Sequence, residues 1–142
     1  MLKRKASAVW NGSLKDGKGR ISTDSGVLRD TQYSFSTRFE DGIGTNPEEL
    51  IAAAHAGCFT MALSGQLTNA GHAPESLETT ATVKMEKTDA GFTVTGVHLE
   101  VRARVPGIDQ QGFDTAAANA KAGCPISRLL NTEITMEARL ES

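Results

Sequence analysis

The sequence of 142 residues lacks a charge excess of either sign. It has 15 lysines and arginines against 17 aspartates and glutamates, which gives a net charge of −2 with histidine neutral. A basic excess is what draws proteins to nucleic acids and to anionic membranes. The balance gives no electrostatic reason to expect either partner, so small, roughly neutral ligands fit this chain better.

A long apolar run is also missing. The most apolar stretch, Leu50 to Leu63, contains His55 and Thr60 and is shorter than a bilayer requires. The basic amino terminus is not followed by the apolar core of a secretion signal. We therefore expect no membrane span, no secretion and a cytoplasmic location.

Repeats, linkers and low-complexity tracts are absent as well. The length suffices for one domain with a real hydrophobic core, and an apolar share of 39% is typical of globular proteins. We predict a single domain over residues 1–142.

Cysteine is scarce, because the chain has only Cys58 and Cys124 and no Cys-x-x-Cys motif. A free cysteine is more often a small buried hydrophobe than a reactive group. In a reducing compartment, however, two cysteines do not serve as a structural staple. A disulfide between them would therefore be transient and functional.

The first third of the chain reads as antiparallel strands. A strand up to Trp10 turns at Asn11-Gly12, and alternating aromatic and polar residues predict a further strand over residues 32–39. In that strand, Arg38 lies on the face opposite the aromatic side chains.

A long helix is predicted next. Asn46 is a good N-cap, Pro47 suits the first helical position, and Glu49 can return a hydrogen bond to the cap. Small and apolar residues then recur at steps of three and four and include Cys58. The helix should end by Gly71.

The last part of the chain combines a hairpin, two helices and a strand. A shift of apolar parity at Gly96 predicts a bulged hairpin, and the periodicity then predicts helices over 109–123 and 125–130. A strand over 134–140 follows them. The element order indicates an α+β fold with helices packed on antiparallel sheets.

Cys124 lies at the junction of these two helices. Gly123 is suited to ending the first helix and Pro125 to starting the second, which leaves Cys124 near a helix N-terminus. Unpaired amides and the positive end of the helix dipole favour a thiolate there, and the thiolate is the reactive form of cysteine.

Cys58 lies in the middle of the long helix, where burial keeps a thiol inert unless a cation stabilises its anion. Arg38 is a candidate for that cation, and Glu48 is a candidate for orienting the arginine. Ten residues of helix separate Glu48 from Cys58 by ~15 Å, too far for direct contact. Either Arg38 spans this gap, or Glu48 of a second subunit faces Cys58 of the first.

Other chemistries find weaker support in the residues. His55 and Cys58 stand three residues apart and could hold a metal with Cys124, but the remaining histidines fall in unrelated contexts. Gly17 to Arg20 lacks the spacing of a phosphate-binding loop, and the Gly-x-Ser-x-Gly motif of hydrolases is missing.

Both cysteine motifs resemble those of a known family. Gly44 to Phe59, with Asn-Pro-Glu-Glu-Leu and Ala-Gly-Cys-Phe, and Lys121 to Ser127, with Ala-Gly-Cys-Pro-Ile, are similar to the OsmC/Ohr family of thiol-dependent peroxidases. The likeness runs along nearly the whole chain and favours the osmotically inducible branch. It implies an intertwined homodimer of α+β subunits with a long central helix, active in oxidative or osmotic stress defence.

The resemblance also implies a site. Cys58 matches the peroxidatic cysteine, Cys124 the resolving cysteine, Glu48 the acid of the Asn-Pro-Glu motif and Arg38 its partner arginine, with Arg20 as the fallback. Organic hydroperoxides, and hydrogen peroxide more weakly, would be reduced through a Cys58 sulfenic acid and a disulfide to Cys124. The implied reductant is an external dithiol such as a dihydrolipoyl protein, and no cofactor or metal is required.

Two questions stay open at this point. His55 either lines the substrate pocket or tunes Cys58. In a non-enzymatic alternative, a dimer binds a small apolar ligand or a stress-related partner, and both cysteines are packing residues. Titration of free thiols after addition of an organic hydroperoxide separates enzyme from binder, because the enzyme loses its thiols quickly and in pairs.

Overall fold

The computed structural model describes residues 1–141. They form two compact units, Met1–Leu50 and the part of the chain from Ile51 onward. Each unit is described by itself, and a single domain over residues 1–142 stays a prediction.

The first unit begins with a three-stranded antiparallel sheet. Strands β1 (Ala6–Asn11), β2 (Lys18–Thr23) and β3 (Thr31–Tyr33) follow one another in the order β1-β2-β3. The predicted hairpin is confirmed, and Gly12 makes its turn with a φ of 103°. A positive φ of this kind is readily adopted only by glycine.

Helix α1 (Phe35–Phe39) corrects the predicted strand over residues 32–39. The Ser34 side chain accepts from the Thr37 backbone N–H, and the Thr37 hydroxyl accepts from the Ser34 N–H in return. This local capping box satisfies backbone groups that a strand would otherwise pair, and it stabilises a helix at this position instead. Arg38 is consequently not opposite the aromatic residues, and its guanidinium lies 5.3 Å from the centre of the Phe39 ring.

Helix α2 (Pro47–Asn69) begins and ends close to the predicted positions. The Glu49 N–H donates to Asn46 Oδ1 at 2.7 Å, which confirms the cap. The Glu49 carboxylate, however, accepts from the Thr45 hydroxyl at 2.9 Å instead of closing a capping box. Gly71, with a φ of 89°, follows the last turn.

The length and composition of α2 bear on the expectation that no segment spans a membrane. The helix has 23 residues and is long and apolar enough to cross a membrane by length and composition alone, because it continues well beyond Leu63. A core helix satisfies the same criteria. Phe59, Leu63 and Leu67 are fully buried in the hydrophobic core of the second unit, so core packing accounts for the apolar face that they form.

The second unit contains strands β4 (Ser76–Thr88), β5 (Gly91–Arg104) and β6 (Ile134–Glu141) in the order β4-β5-β6. The β4–β5 hairpin carries the predicted bulge, since Lys84 pairs with Gly96 and Met85 with Val94. Strand β6 is parallel to β5, whereas we predicted antiparallel sheets throughout. The helices between the two strands return the chain to the starting end of β5, as a parallel connection requires.

Helices α3 (Gln110–Gly123) and α4 (Pro125–Leu129) form this connection and confirm the two predicted helices. Asp109 caps α3 by accepting from the Gly112 N–H at 2.7 Å. The core of the second unit combines side chains of α2, β5 and α3, among them Phe59, Leu63, Leu67, Val97, Leu99, Val101, Phe113, Ala117 and Ala120.

Candidate active site

The two cysteines meet in the second unit although 66 residues separate them along the chain. Cys124 Sγ lies 2.8 Å from Cys58 Sγ and donates a hydrogen bond to it, and both cysteines are free. Cys58 is half-buried on α2, and Cys124 is fully buried. This distance confirms the expectation that folding brings the two sulfurs together.

Cys124 occupies the junction between α3 and α4, as predicted, but for a different reason. It ends α3 and starts α4 with a φ of −56° and a ψ of 126°. Gly123 lies inside α3, so no left-handed glycine ends that helix. Pro125 supplies the break, because a residue that precedes proline is forced out of the helical region.

The surroundings of the sulfurs favour the protonated form of Cys58. Burial raises the pKa of Cys58, the hydrogen bond from Cys124 raises it further, and the backbone N–H of Ile126 opposes both effects by donating to the sulfur. The backbone amide at the start of α4 thus donates to the sulfur of Cys58. From the sequence, we expected the start of this helix to stabilise the thiolate of Cys124. A nucleophilic Cys58 needs positive charge from outside this cluster.

The candidate source of positive charge lies in the first unit. Arg38 Nε donates to Glu48 Oε1 at 2.8 Å and its Nη2 to Glu48 Oε2 at 3.1 Å. This two-point contact holds the planar guanidinium in one orientation. The Glu48 side chain is 14% exposed and that of Arg38 is 39% exposed, so the arginine keeps access to solvent.

The fallback arginine has a different partner. Arg20 Nε lies 3.8 Å from Asp30 Oδ1, and both side chains are largely exposed. An exposed pair at this distance is weak. Of the two candidate arginines, Arg38 is the one that Glu48 orients.

A second contact accompanies the cysteines and was missed from the sequence. His55 Nε2 lies 2.7 Å from the hydroxyl oxygen of Ser127, and His55 is fully buried. Burial lowers the pKa of His55, which favours the neutral ring. The available signal was the spacing, since His55 precedes Cys58 by three residues and Ser127 follows Cys124 by three.

The proposed metal ligands do not converge. Within residues 1–141, the histidine, cysteine and acidic side chains that lie close enough to share an ion are His98, Glu100 and Glu137, on β5 and β6. His55, Cys58 and Cys124 form no such group there. His55 Nε2 is instead engaged by Ser127.

Known proteins resemble this chain over two thirds of its length or more. It is 52% identical to the peroxiredoxin OsmC of Escherichia coli over 141 residues, 99% of each chain. It is 32% identical to the organic hydroperoxide resistance protein of Xanthomonas axonopodis pv. citri over 98 residues, 67% of each chain.

Solved structures share the fold at lower identity. An OsmC-like protein from Vibrio cholerae matches with a TM-score of 0.78 at 18% identity, covering 98% of this chain and 100% of that one. OhrB of Bacillus subtilis matches with a TM-score of 0.68 at 22% identity, covering 96% and 98%. A family model described as OsmC-like protein matches residues 40–139. The resemblance seen in the cysteine motifs is thereby confirmed, and the chain belongs to the OsmC-like family.

Proposed function

We propose that the protein is a thiol-dependent peroxidase that reduces organic hydroperoxides, and hydrogen peroxide more weakly, in defence against oxidative and osmotic stress. The observation that carries the proposal is the 2.8 Å contact between Cys58 Sγ and Cys124 Sγ. The names of its relatives support the reaction class, since they are a peroxiredoxin and organic hydroperoxide resistance proteins.

Cys58 is the nucleophile in this proposal. Its thiolate attacks one peroxide oxygen, the O–O bond breaks, and the departing alkoxide takes a proton and leaves as an alcohol. The sulfur is oxidised by two electrons to a sulfenic acid. Cys58 is suited to this role because it is half-buried, whereas Cys124 is fully buried.

Cys124 resolves the sulfenic acid. Its sulfur attacks that of Cys58, an S–S bond forms, and the S–O bond breaks with loss of water. A disulfide has an S–S length of about 2.05 Å, so sulfurs 2.8 Å apart need little movement to react. An external dithiol, for example that of a dihydrolipoyl protein, then reduces the disulfide and closes the cycle.

Arg38 supplies the positive charge that Cys58 lacks in its own surroundings. Glu48 holds the guanidinium at two points, which fixes its orientation and leaves other N–H donors of the arginine for a thiolate and a peroxide oxygen. Helix geometry sets Glu48 and Cys58 of one chain about 15 Å apart. We therefore propose that the Arg38–Glu48 pair of one subunit serves Cys58 of the other.

This arrangement requires a homodimer, and the surface of α2 supports one. Met61 is 79% exposed, and a side chain added at Gly57 or Gly65 would meet no neighbouring atom. Together with the exposed Ala53 and Ala54, they form an apolar face on α2 in which every residue except Met61 is small. Small residues allow close approach of a second helix, as in a dimer interface.

Thiol titration tests the proposal against a non-enzymatic binder. One equivalent of cumene hydroperoxide should remove two free thiols per chain rapidly, and addition of a dithiol should restore both. Slow loss of one thiol at a time would contradict a peroxidase and favour packing cysteines. Repeating the titration with a chelator present should give the same result, whereas inhibition would favour the metal site.

A further inference from the structure

Two side-chain contacts join α2 to the α3–α4 junction. Cys58 meets Cys124 through their sulfurs at 2.8 Å, and His55 meets Ser127 at 2.7 Å. His55 lies three residues before Cys58, and Ser127 lies three residues after Cys124. Residues three apart share a helix face, about 4.5 Å apart along the axis. The contacts thus form two successive rungs between segments that run antiparallel.

The His55–Ser127 rung is unusual in its surroundings. His55 is fully buried, Ser127 is 9% exposed, and the core around the two sulfurs is apolar. His55 Nδ1 has no hydrogen-bond partner among the described residues. A buried, unpaired nitrogen costs free energy, so an apolar side chain would pack here at lower cost.

His55 Nε2, the nitrogen hydrogen-bonded to Ser127, explains why a histidine is useful here. A polar contact in an apolar core is satisfied in one geometry only, and it penalises every displacement that breaks it. The Ser127 hydroxyl can donate to Nε2 or accept from it, so the contact persists in either neutral form of the ring. The rung therefore favours one register of α2 against α4.

We propose that His55 and Ser127 are positioning residues, whose hydrogen bond fixes the register of α2 against α4 at which the Cys58 and Cys124 sulfurs meet. Disulfide bonds tolerate only a narrow range of Cα separations. A slip of one residue along a helix displaces a sulfur by about 1.5 Å. Loss of the bond therefore disfavours the disulfide and slows its formation. The kinetic part of this inference rests on the proposed peroxidase cycle, but the equilibrium part does not.

The equilibrium test needs no peroxide. The purified protein is equilibrated in mixtures of reduced and oxidised dithiothreitol, and the Cys58–Cys124 disulfide is quantified after acid quenching and alkylation. Ser127→Ala should lower the equilibrium constant for the disulfide about tenfold, which corresponds to about 30 mV. Ser127→Thr keeps the hydroxyl and should stay within about twofold of the parent protein.

A control on the same helix separates register from general stability. The Thr60 hydroxyl on α2 donates to the Ala56 carbonyl at 2.6 Å and is hydrogen-bonded to the Thr79 hydroxyl on β4 at 2.7 Å, so Thr60→Val removes side-chain hydrogen bonds of α2 that do not involve α4. It should leave the disulfide equilibrium unchanged. An unchanged equilibrium in Ser127→Ala would overturn the inference, and so would equal shifts in Ser127→Ala and Thr60→Val.

A second pair of variants tests the inference if the Ser127→Ala protein fails to fold. His55→Gln extends an amide toward the position of Nε2, whereas His55→Asn is too short to reach Ser127. We expect the equilibrium constant for the Cys58–Cys124 disulfide to be several-fold larger in His55→Gln than in His55→Asn. Equal values for the two would contradict a positioning role.

The kinetic test uses an organic hydroperoxide. Ser127→Ala should form the Cys58 sulfenic acid at the parental rate, convert it to the disulfide more slowly, and accumulate more sulfinic acid in excess peroxide. If the sulfenic acid of Ser127→Ala divides between disulfide and sulfinic acid as it does in the parent protein, the kinetic part of the inference is overturned. If the parent forms no sulfenic acid, the peroxidase proposal fails, and the dithiothreitol equilibrium still decides the positioning role.

Discussion

The Arg38–Glu48 pair and the Cys58–Cys124 pair differ in how the chain builds them. Arg38 and Glu48 are ten residues apart, belong to the first unit, and keep partial access to water. Cys58 and Cys124 are 66 residues apart, belong to the second unit, and meet in its core. The first unit thus holds the proposed positive charge and no cysteine. The second holds the proposed nucleophile, Cys58, whose surroundings raise its pKa. In the proposed mechanism, neither group is sufficient alone.

Removal of the sulfurs should have the largest effect. Cys58→Ser should reduce hydroperoxide consumption to the uncatalysed rate, because no other described side chain is proposed to attack the peroxide. Cys124→Ser should consume about one equivalent per chain and then stop or over-oxidise. Steady-state assays with an excess of dithiol measure both, and full turnover by Cys58→Ser would contradict the account.

Removal of the charge should have the next largest effect. A neighbouring cation lowers a thiol pKa by about one to two units, so Arg38→Gln should slow the reaction of Cys58 about 10- to 100-fold near neutral pH. The pH midpoint of Cys58 alkylation should rise by a similar amount. Arg20→Gln is the matched comparison and should change neither quantity. A larger effect at Arg20 would transfer the role to that arginine.

Mixed dimers test which subunit supplies the charge. Cys58→Ser and Glu48→Gln chains, each impaired alone, should regain activity when combined, because one of the two sites in a heterodimer is then intact. Activity is measured on heterodimers isolated with two affinity tags. Heterodimers without regained activity would assign the arginine and the nucleophile to the same chain.

The smallest effect concerns stability and pH. Because burial lowers the pKa of His55, the unfolded chain binds a proton more readily than the folded one between the ordinary value of 6.5 and the lower native value. The free energy of unfolding should therefore fall as the pH drops below 6.5. Urea titrations should show a weaker fall in His55→Gln, and an identical fall would contradict a buried neutral histidine.

Features that depend on neighbouring residues were predictable from the sequence. The Asn46 cap, the Asp109–Gly123 helix pattern and the bulge beside Gly96 all follow from local hydrogen bonding or periodicity. Helix α1 was missed, because alternation of aromatic residues resembles a strand while the Ser34–Thr37 capping box favours a helix.

Features that depend on distant packing were not predictable in the same way. The parallel pairing of β5 with β6 depends on where the two intervening helices deliver the chain. The raised pKa of Cys58 depends on burial and on its partner Cys124. The contact of His55 with Ser127 spans 72 residues, and only the equal spacing from the two cysteines hinted at it.

Disulfide mapping tests the central claim most directly. The reduced protein is treated with one equivalent of cumene hydroperoxide, quenched and alkylated. The mass of the whole chain is then measured, and the peptides of a protease digest are identified by mass spectrometry. The account predicts a loss of two hydrogens per chain and one linked peptide pair that contains Cys58 and Cys124. Two separately alkylated cysteines, or oxygen retained on Cys58 without a link to Cys124, would contradict it.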